Sequence, residues 1–314
     1  MIIINLQGIV IKSTGSWYIV QTEDNQLFNC KIKGKFKTQG IKSTNPIAVG
    51  DKVDFILQKE EGVGLIKTIH PRKNYLIRKA TKLSSRSHII AANVDYAILV
   101  VSLAFPRTSS GFIDRFLIST EAYHIKTIIV FNKIDLHDKI LSKQLDEWKE
   151  IYEKIGYTCL AVSAKTGKGV EVLKKQIQNK INLFSGHSGV GKSALINAIQ
   201  PDLKLKTATV SDATEKGTHT TTFAEMHPMH SGGYIIDTPG IKGFGLIDFV
   251  ATEVPSYFKE FDSFAAQCKF HNCTHTHEPD CAVIHAANSG AIAKSRYNNY
   301  LAIIKDDYFS EKPY

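Results

Sequence analysis

The segment Gly186-His187-Ser188-Gly189-Val190-Gly191-Lys192-Ser193 constrains this 314-residue chain more than any other, because it fits G-x-x-x-x-G-K-[ST] in the context that gives the pattern meaning. An apolar run at 181–184 precedes it and a helix-forming run at 192–200 follows it. A strand that turns through glycines into a helix can aim backbone N–H groups at anionic oxygens. Lys192 can then neutralise a terminal phosphate, and Ser193 can offer its hydroxyl to Mg²⁺. Such a loop commits its surroundings to strands alternating with helices, with the strands buried on both faces in a mostly parallel sheet.

The rest of the chain divides around that commitment. Residues 2 to about 71 contain five short β-rich runs, separated by turn-like pieces and without a helical period. They suggest a small barrel, an OB-fold first and an SH3-like barrel close behind. Residues 73–92 are basic, with Lys73, Arg78, Lys79, Lys82 and Arg86 among serines, and read as a linker. From Asp95 the runs at 96–103, 127–133, 158–164 and 181–186 read as strands. Leu141, Leu145, Trp148, Tyr152 and Ile155 would line the buried face of a helix over 139–155, and Val170, Leu173 and Ile177 that of the next. Beyond Phe249 a helical tail is expected, with a Cys/His-rich loop and a last helix near 288–306. The expected domains are therefore a barrel at 1–72, a linker at 73–92, an α/β nucleotide-binding domain at 93–249 and a helical metal-binding segment at 250–314.

Three further stretches belong with the phosphate loop. Asp237-Thr238-Pro239-Gly240 follows an apolar strand, so Asp237 could hold the water shell of Mg²⁺ and the Gly240 N–H could meet a γ-phosphate. Asn132-Lys133-Ile134-Asp135 ends another strand, and the Asp135 carboxylate can accept from the ring N–H and exocyclic amine of guanine. Adenine would leave that carboxylate unpaired. Ser163-Ala164-Lys165, at the end of the next strand, supplies backbone N–H groups for the guanine oxygen. Between the phosphate loop and Asp237 lies the run 216–222, where a mobile segment would bring a threonine to Mg²⁺. Thr221 is the choice, with Thr220 and Thr222 close alternatives.

Three of the five cysteines crowd into Cys268-x4-Cys273-x-His275-x5-Cys281. Three thiolates and an imidazole suffice for a closed, structural zinc site, with His271 and His277 competing with His275 as the fourth ligand. Lys and Arg number 39 against 30 Asp and Glu, a formal net charge of +9, so a polyanion is a plausible partner. Charge alone does not name it. Residues 1–20 have no basic leader with an apolar segment, and no apolar run approaches the roughly 18 residues of a membrane helix, so a cytoplasmic protein without membrane contact is expected.

The order of these motifs carries a resemblance. The guanine-reading loops at 132–135 and 163–165 precede the phosphate loop, the threonine run and Asp237, a rotation of the usual order. A rotated chain can keep the same sheet when the original ends lie close together. With the front barrel, the Ala91-Ala92-Asn93-Val94-Asp95 entry and the Cys/His segment, the chain resembles the RsgA family of circularly permuted, ribosome-associated GTPases acting late in small-subunit assembly. The resemblance implies an OB-fold, GTP/GDP with Mg²⁺, one Zn²⁺ held through His275, and the small ribosomal subunit with its rRNA as partner. It also implies that hydrolysis is slow alone and accelerated on the subunit. Ile241 stands where many GTPases carry a water-orienting glutamine, and the family offers His219 instead. The expected catalytic set is His219, Lys192 and Thr221, the expected Mg²⁺ ligands are Ser193, Thr221 and Asp237, and a monomer is expected. Two other classes remain at this point: an RNA-binding module with a structural, non-hydrolysing nucleotide site, and an ATP-dependent RNA-remodelling enzyme.

Overall fold

The computed structural model describes residues 3–32, 46–58, 62–79, 87–206, 224–237 and 252–305. Strands β1 (Ile3–Ser13), β2 (Tyr18–Gln21), β3 (Leu27–Ile32), β4 (Lys52–Gln58) and β5 (Val63–Ile69) coincide with the five runs read from the sequence. They pair in the order β1-β2-β3-β5-β4, and β4 returns antiparallel to β1 from Ile3↔Gln58 to Ile9↔Lys52. The β3–β5 pair is parallel. This closed order is the OB arrangement rather than the SH3-like one. Alternation sends Val10, Tyr18, Val20, Val53, Phe55 and Ile66 inward as the barrel core. Asp51, fully buried, accepts two 2.6 Å hydrogen bonds from the Arg72 guanidinium and one from the Ala48 N–H, which closes the barrel's end.

The described parts of the stretch expected to be a linker, 73–79 and 87–92, contain strands. Strands β6 (Tyr75–Lys79) and β7 (Ser87–Ala92) form an antiparallel pair. Leu76 and Ala91 join the apolar cluster of the following domain, together with Val49 from the barrel. The Asn93 amide donates to Gly50 O at 3.0 Å and the Asn74 amide to Val94 O at 2.9 Å. The basic residues drew attention away from alternating apolar positions here. Those positions let the hairpin bury Leu76, Ile89 and Ala91 on one face.

The central domain comprises β8 (Tyr96–Val101), α1 (Ser110–Ala122), β9 (Lys126–Phe131), α2 (Lys139–Lys154), β10 (Thr158–Ala161), α3 (Val170–Ile177), β11 (Lys180–Ser185), α4 (Lys192–Ile199), β12 (Glu225–Pro228) and β13 (Gly233–Asp237). Its sheet order is β10-β9-β8-β11-β13-β12, parallel except for β12. β11 is inserted between β8 and β13, so strands early and late in the chain deliver their C-terminal ends to one sheet edge. One face packs Leu99, Phe116, Phe131, Leu145 and Tyr152; the other packs Ile98, Val130, Leu173, Phe184 and Leu195. Among the described residues no helix is long and apolar enough to cross a membrane.

The C-terminal segment has α5 (Lys259–Ala265), α6 (Ala282–Ser289) and α7 (Lys294–Lys305). The single last helix expected near 288–306 is interrupted, because Gly290 takes a left-handed conformation (φ 82°) and ends α6. Phe258, Phe261, Val283, Ile292 and Tyr300 form a small core that also takes Ile118 from α1. A buried ionic cluster ties this segment to the central domain. Arg296 on α7 donates to Asp114 of α1 at 2.6 Å and makes two bonds to Glu260 of α5 at 2.7 and 2.9 Å. Tyr152 of α2 and Asn299 of α7 complete Asp114. Arg296 and Asp114 are at most 1% exposed. Removing the cation strands two buried carboxylates, so Arg296→Met is expected to cost about 3–5 kcal/mol, measured by urea unfolding followed by circular dichroism. A change below 1 kcal/mol would show that the cluster does not hold the segment in place.

Candidate functional site

The ends of β9, β10, β11 and β13 meet at one edge, and two adjacent side chains of one loop lock onto the backbone of another. Gly186, Gly189 and Gly191 have φ of 155°, 82° and 91°, which only glycine takes at low cost. Space reinforces conformation. A Cβ on Gly186 would lie 2.3 Å from Val100 O, and one on Gly191 would lie 2.5 Å from the Asn132 amide nitrogen. The loop therefore runs against β8 and the 132–135 turn at distances no side chain would permit.

Asn132, 1% exposed, holds three loops together. Its amide donates to Val190 O at 2.9 Å, inside the phosphate loop, while its carbonyl accepts from the Ala164 N–H at 3.1 Å. Lys133 adopts a left-handed backbone (φ 64°) and swings its ammonium over the phosphate loop, donating to Gly189 O at 2.6 Å and Phe105 O at 2.9 Å. Burial pushes the Lys133 pKa down, opposed by the nearby Asp135 carboxylate. The Ser163 hydroxyl donates to Asp135 at 2.6 Å and accepts from the Thr166 N–H, which fixes that carboxylate's orientation at an exposed rim. Lys165 is exposed beside it.

At the other end of the cradle Lys192, the first residue of α4, lies 3.1 Å from Asp237 at the tip of β13. The pairing is an ion contact without good hydrogen-bond direction, since that Asp237 oxygen is buried and lacks a well-aligned donor. A carboxylate there would accept a cation's hydration shell. Ser193 follows in the first turn of α4. His187 is exposed, and its ring lies against Phe112 of α1, tilted by 32° with centroids 3.6 Å apart. His219, Thr220, Thr221, Thr222, Gly240 and Ile241 lie outside the described residues.

The sequence reading missed α1 and the 102–109 loop, whose Phe105 carbonyl anchors Lys133. The signal for α1 was present: Ser109 accepts from the Phe112 N–H as N-cap, and Ile113, Phe116 and Leu117 recur at helical spacing. No sequence pattern marks a carbonyl contact.

In the C-terminal segment the donor atoms of Cys268, Cys273, His275 and Cys281 all lie within 4.8 Å of one another. Cys268 Sγ is 3.8 Å from Cys281 Sγ, and His275 Nδ1 is 3.6 and 3.3 Å from those sulfurs. A tetrahedron with Zn–S near 2.3 Å and Zn–N near 2.0–2.1 Å has edges of about 3.8 and 3.5 Å, so the group is compatible with one zinc. His275 takes φ 55° and is buried, and its carbonyl accepts from Tyr297 at 2.9 Å; His271 and His277 are outside the group.

The Asn132 clamp makes a direct prediction. Gly191→Ala should drive the amide off Val190 O and cost about 1–3 kcal/mol in the nucleotide-free protein, read as a lowered melting temperature. An unchanged melt would mean that the three loops are not held by this contact.

Comparison with known proteins agrees with this geometry. Residues 69–247 match the RsgA GTPase family and residues 7–66 the RsgA N-terminal domain. The small ribosomal subunit biogenesis GTPase RsgA 2 of Bacteroides thetaiotaomicron is 53% identical over 301 residues, 96% of this chain and 97% of that protein. The corresponding RsgA of Flavobacterium psychrophilum is 52% identical over 304 residues, covering 96% and 93%. Among solved structures, YjeQ from Thermotoga maritima superposes with a TM-score of 0.80 at 37% identity, covering 99% of this chain and 100% of that one. YloQ, a circularly permuted GTPase, gives 0.76 at 29% identity, covering 99% and 98%. A phosphate loop clamped by motifs that precede it in the chain, a front barrel closed in OB order and full-length likeness at about half identity converge on one assignment: the chain belongs to the RsgA GTPase family.

Proposed function

We propose that this protein is a GTPase that acts in biogenesis of the small ribosomal subunit, binding the subunit with GTP and leaving it after hydrolysis to GDP and phosphate. The observation that supports the reading is the clamp of Asn132 and Lys133 on Val190 and Gly189, which holds the 132–135 loop against the 186–193 loop. Asp135, oriented by Ser163, accepts from the guanine edge, and the backbone of 163–165 meets its oxygen. Backbone N–H groups of 186–193 surround the phosphates and Lys192 moves from Asp237 to the β/γ oxygens. Ser193, Asp237 and Thr221 are the residues assigned to Mg²⁺, which neutralises phosphate charge when bound. His219 is assigned to orient the attacking water, in the absence of a glutamine at Ile241.

The net charge of +9 and the OB barrel suit rRNA, and a ribosome factor of this kind is cytoplasmic. Cys268, Cys273, His275 and Cys281 are assigned to one structural zinc, which stabilises a segment with a small core. Burial pushes the Cys273 thiol up to about 12, so zinc binding must displace thiol protons and weakens as pH falls.

Ile241 also favours a second reading, an RNA-binding protein whose nucleotide site is structural. Phosphate release with and without small subunits separates the two. Lys192→Ala and His219→Ala are each expected to lower subunit-stimulated turnover about a hundredfold. Full stimulated turnover in His219→Ala would remove that residue from the mechanism, and no turnover in the unsubstituted protein on subunits would favour the structural reading. Zinc should be found at one per chain by metal analysis, and chelation should melt the α5–α7 segment as seen by circular dichroism; helix content that survives complete metal removal would rule out a folding role.

A further inference from the structure

The barrel contributes a charge to the nucleotide site. β1 leaves the barrel and pairs with edge strand β12 of the central sheet, with Lys12 directly opposite Glu225. β12 in turn pairs with β13, and there Glu225 is directly opposite Asp237. Residues opposite one another in antiparallel pairs project from the same face, so Lys12, Glu225 and Asp237 stand in one row across three strands. Lys12 forms an ion pair with Glu225, and Asp237 forms one with Lys192 at 3.1 Å. The row reads plus, minus, minus, plus, with its outer cations supplied by two different domains.

Two carboxylates directly opposite each other repel unless each is compensated. Lys192 compensates Asp237 only until phosphate draws its ammonium away. Glu225 then stands one strand from Asp237, the carboxylate assigned to the Mg²⁺ end of the site, and within this row its own charge is offset by Lys12. Lys12 and Glu225 are each a little over one-third exposed, so solvent moderates the effect without abolishing it.

We propose that Lys12 is a positioning residue for the nucleotide site: by neutralising Glu225, it keeps a second carboxylate from opposing phosphate binding next to Asp237, and so ties nucleotide affinity to the seating of the barrel on β12. The inference rests on the nucleotide-site reading above and goes beyond it by assigning a role to a residue outside the nucleotide-binding domain. A barrel moved off β12 would uncover Glu225 and weaken nucleotide binding without any change in the phosphate loop itself.

Charge accounting separates this role from a mechanical strut. Dissociation constants for GDP and a non-hydrolysable GTP analogue, both with Mg²⁺, would be measured by calorimetry in low and high salt for the full-length protein, Lys12→Ala, Glu225→Gln, the double variant and Lys192→Ala. Lys12→Ala should weaken binding roughly three- to tenfold at low salt, more for the triphosphate, with the difference shrinking at high salt. Glu225→Gln should bind at least as tightly as the unsubstituted protein, and the double variant should return to it. If Glu225→Gln is as weak as Lys12→Ala and the double variant is no better, the pair is a strut and the proposal fails. Unchanged affinity in Lys12→Ala overturns it as well, provided Lys192→Ala has lost binding; full binding in Lys192→Ala would instead overturn the nucleotide-site reading beneath it.

Discussion

A buried asparagine side chain gives the nucleotide edge its shape. Asn132 can reach both the Val190 carbonyl and the Ala164 N–H only because β9 lies between β8 and β10 and β11 lies on the far side of β8. The amide spends donor and acceptor on backbone groups of two other loops, each of which would otherwise face an incomplete set of partners in a water-poor position. Lys133 repeats the device one residue later, taking carbonyls from the phosphate loop and from the 102–109 loop. Four loops are thus registered against each other by two adjacent residues. Chain order is irrelevant to this registration, which is why the motifs can occur in rotated sequence and still build one site.

The two outer parts of the molecule are attached to that edge by different physics. The barrel is joined by main-chain continuity, through β1 on β12 and the β6–β7 hairpin, with the Asp51–Arg72 pair closing its end. Among the described residues the C-terminal segment is joined through side chains, those of Arg296, Asp114, Glu260 and Asn299 around a shared apolar core. Buried ion clusters add little net stability but tolerate few alternative arrangements, so they favour a defined orientation. The group of Cys268, Cys273, His275 and Cys281 adjoins that core, where Tyr297 and Tyr300 of α7 donate to the backbone of His275 and Thr274. The Cys/His group, the small core and the ionic cluster are consequently parts of one packed unit.

Legibility in the sequence followed locality. The five barrel strands and the strands and helices around the phosphate loop could be read because alternation and helical period act over neighbouring residues. The same holds for the Cys/His group, although spacing alone left three histidines in competition. The β6–β7 hairpin was hidden because its charges dominate its composition. The break at Gly290 was hidden because apolar spacing resumes on both sides of it.

Residue by residue, the sequence by itself determined which groups are available: glycines in a turn between strand and helix, a carboxylate at Asp135, three thiols and an imidazole close together. Tertiary structure alone decided who meets whom. The pairing of Asn132 with Val190, of Lys133 with Phe105, of Arg296 with Asp114 across 182 residues, and of Lys12 with Glu225 depends on strand order and register. Those are global outcomes of packing apolar faces, and no window of neighbouring residues encodes them.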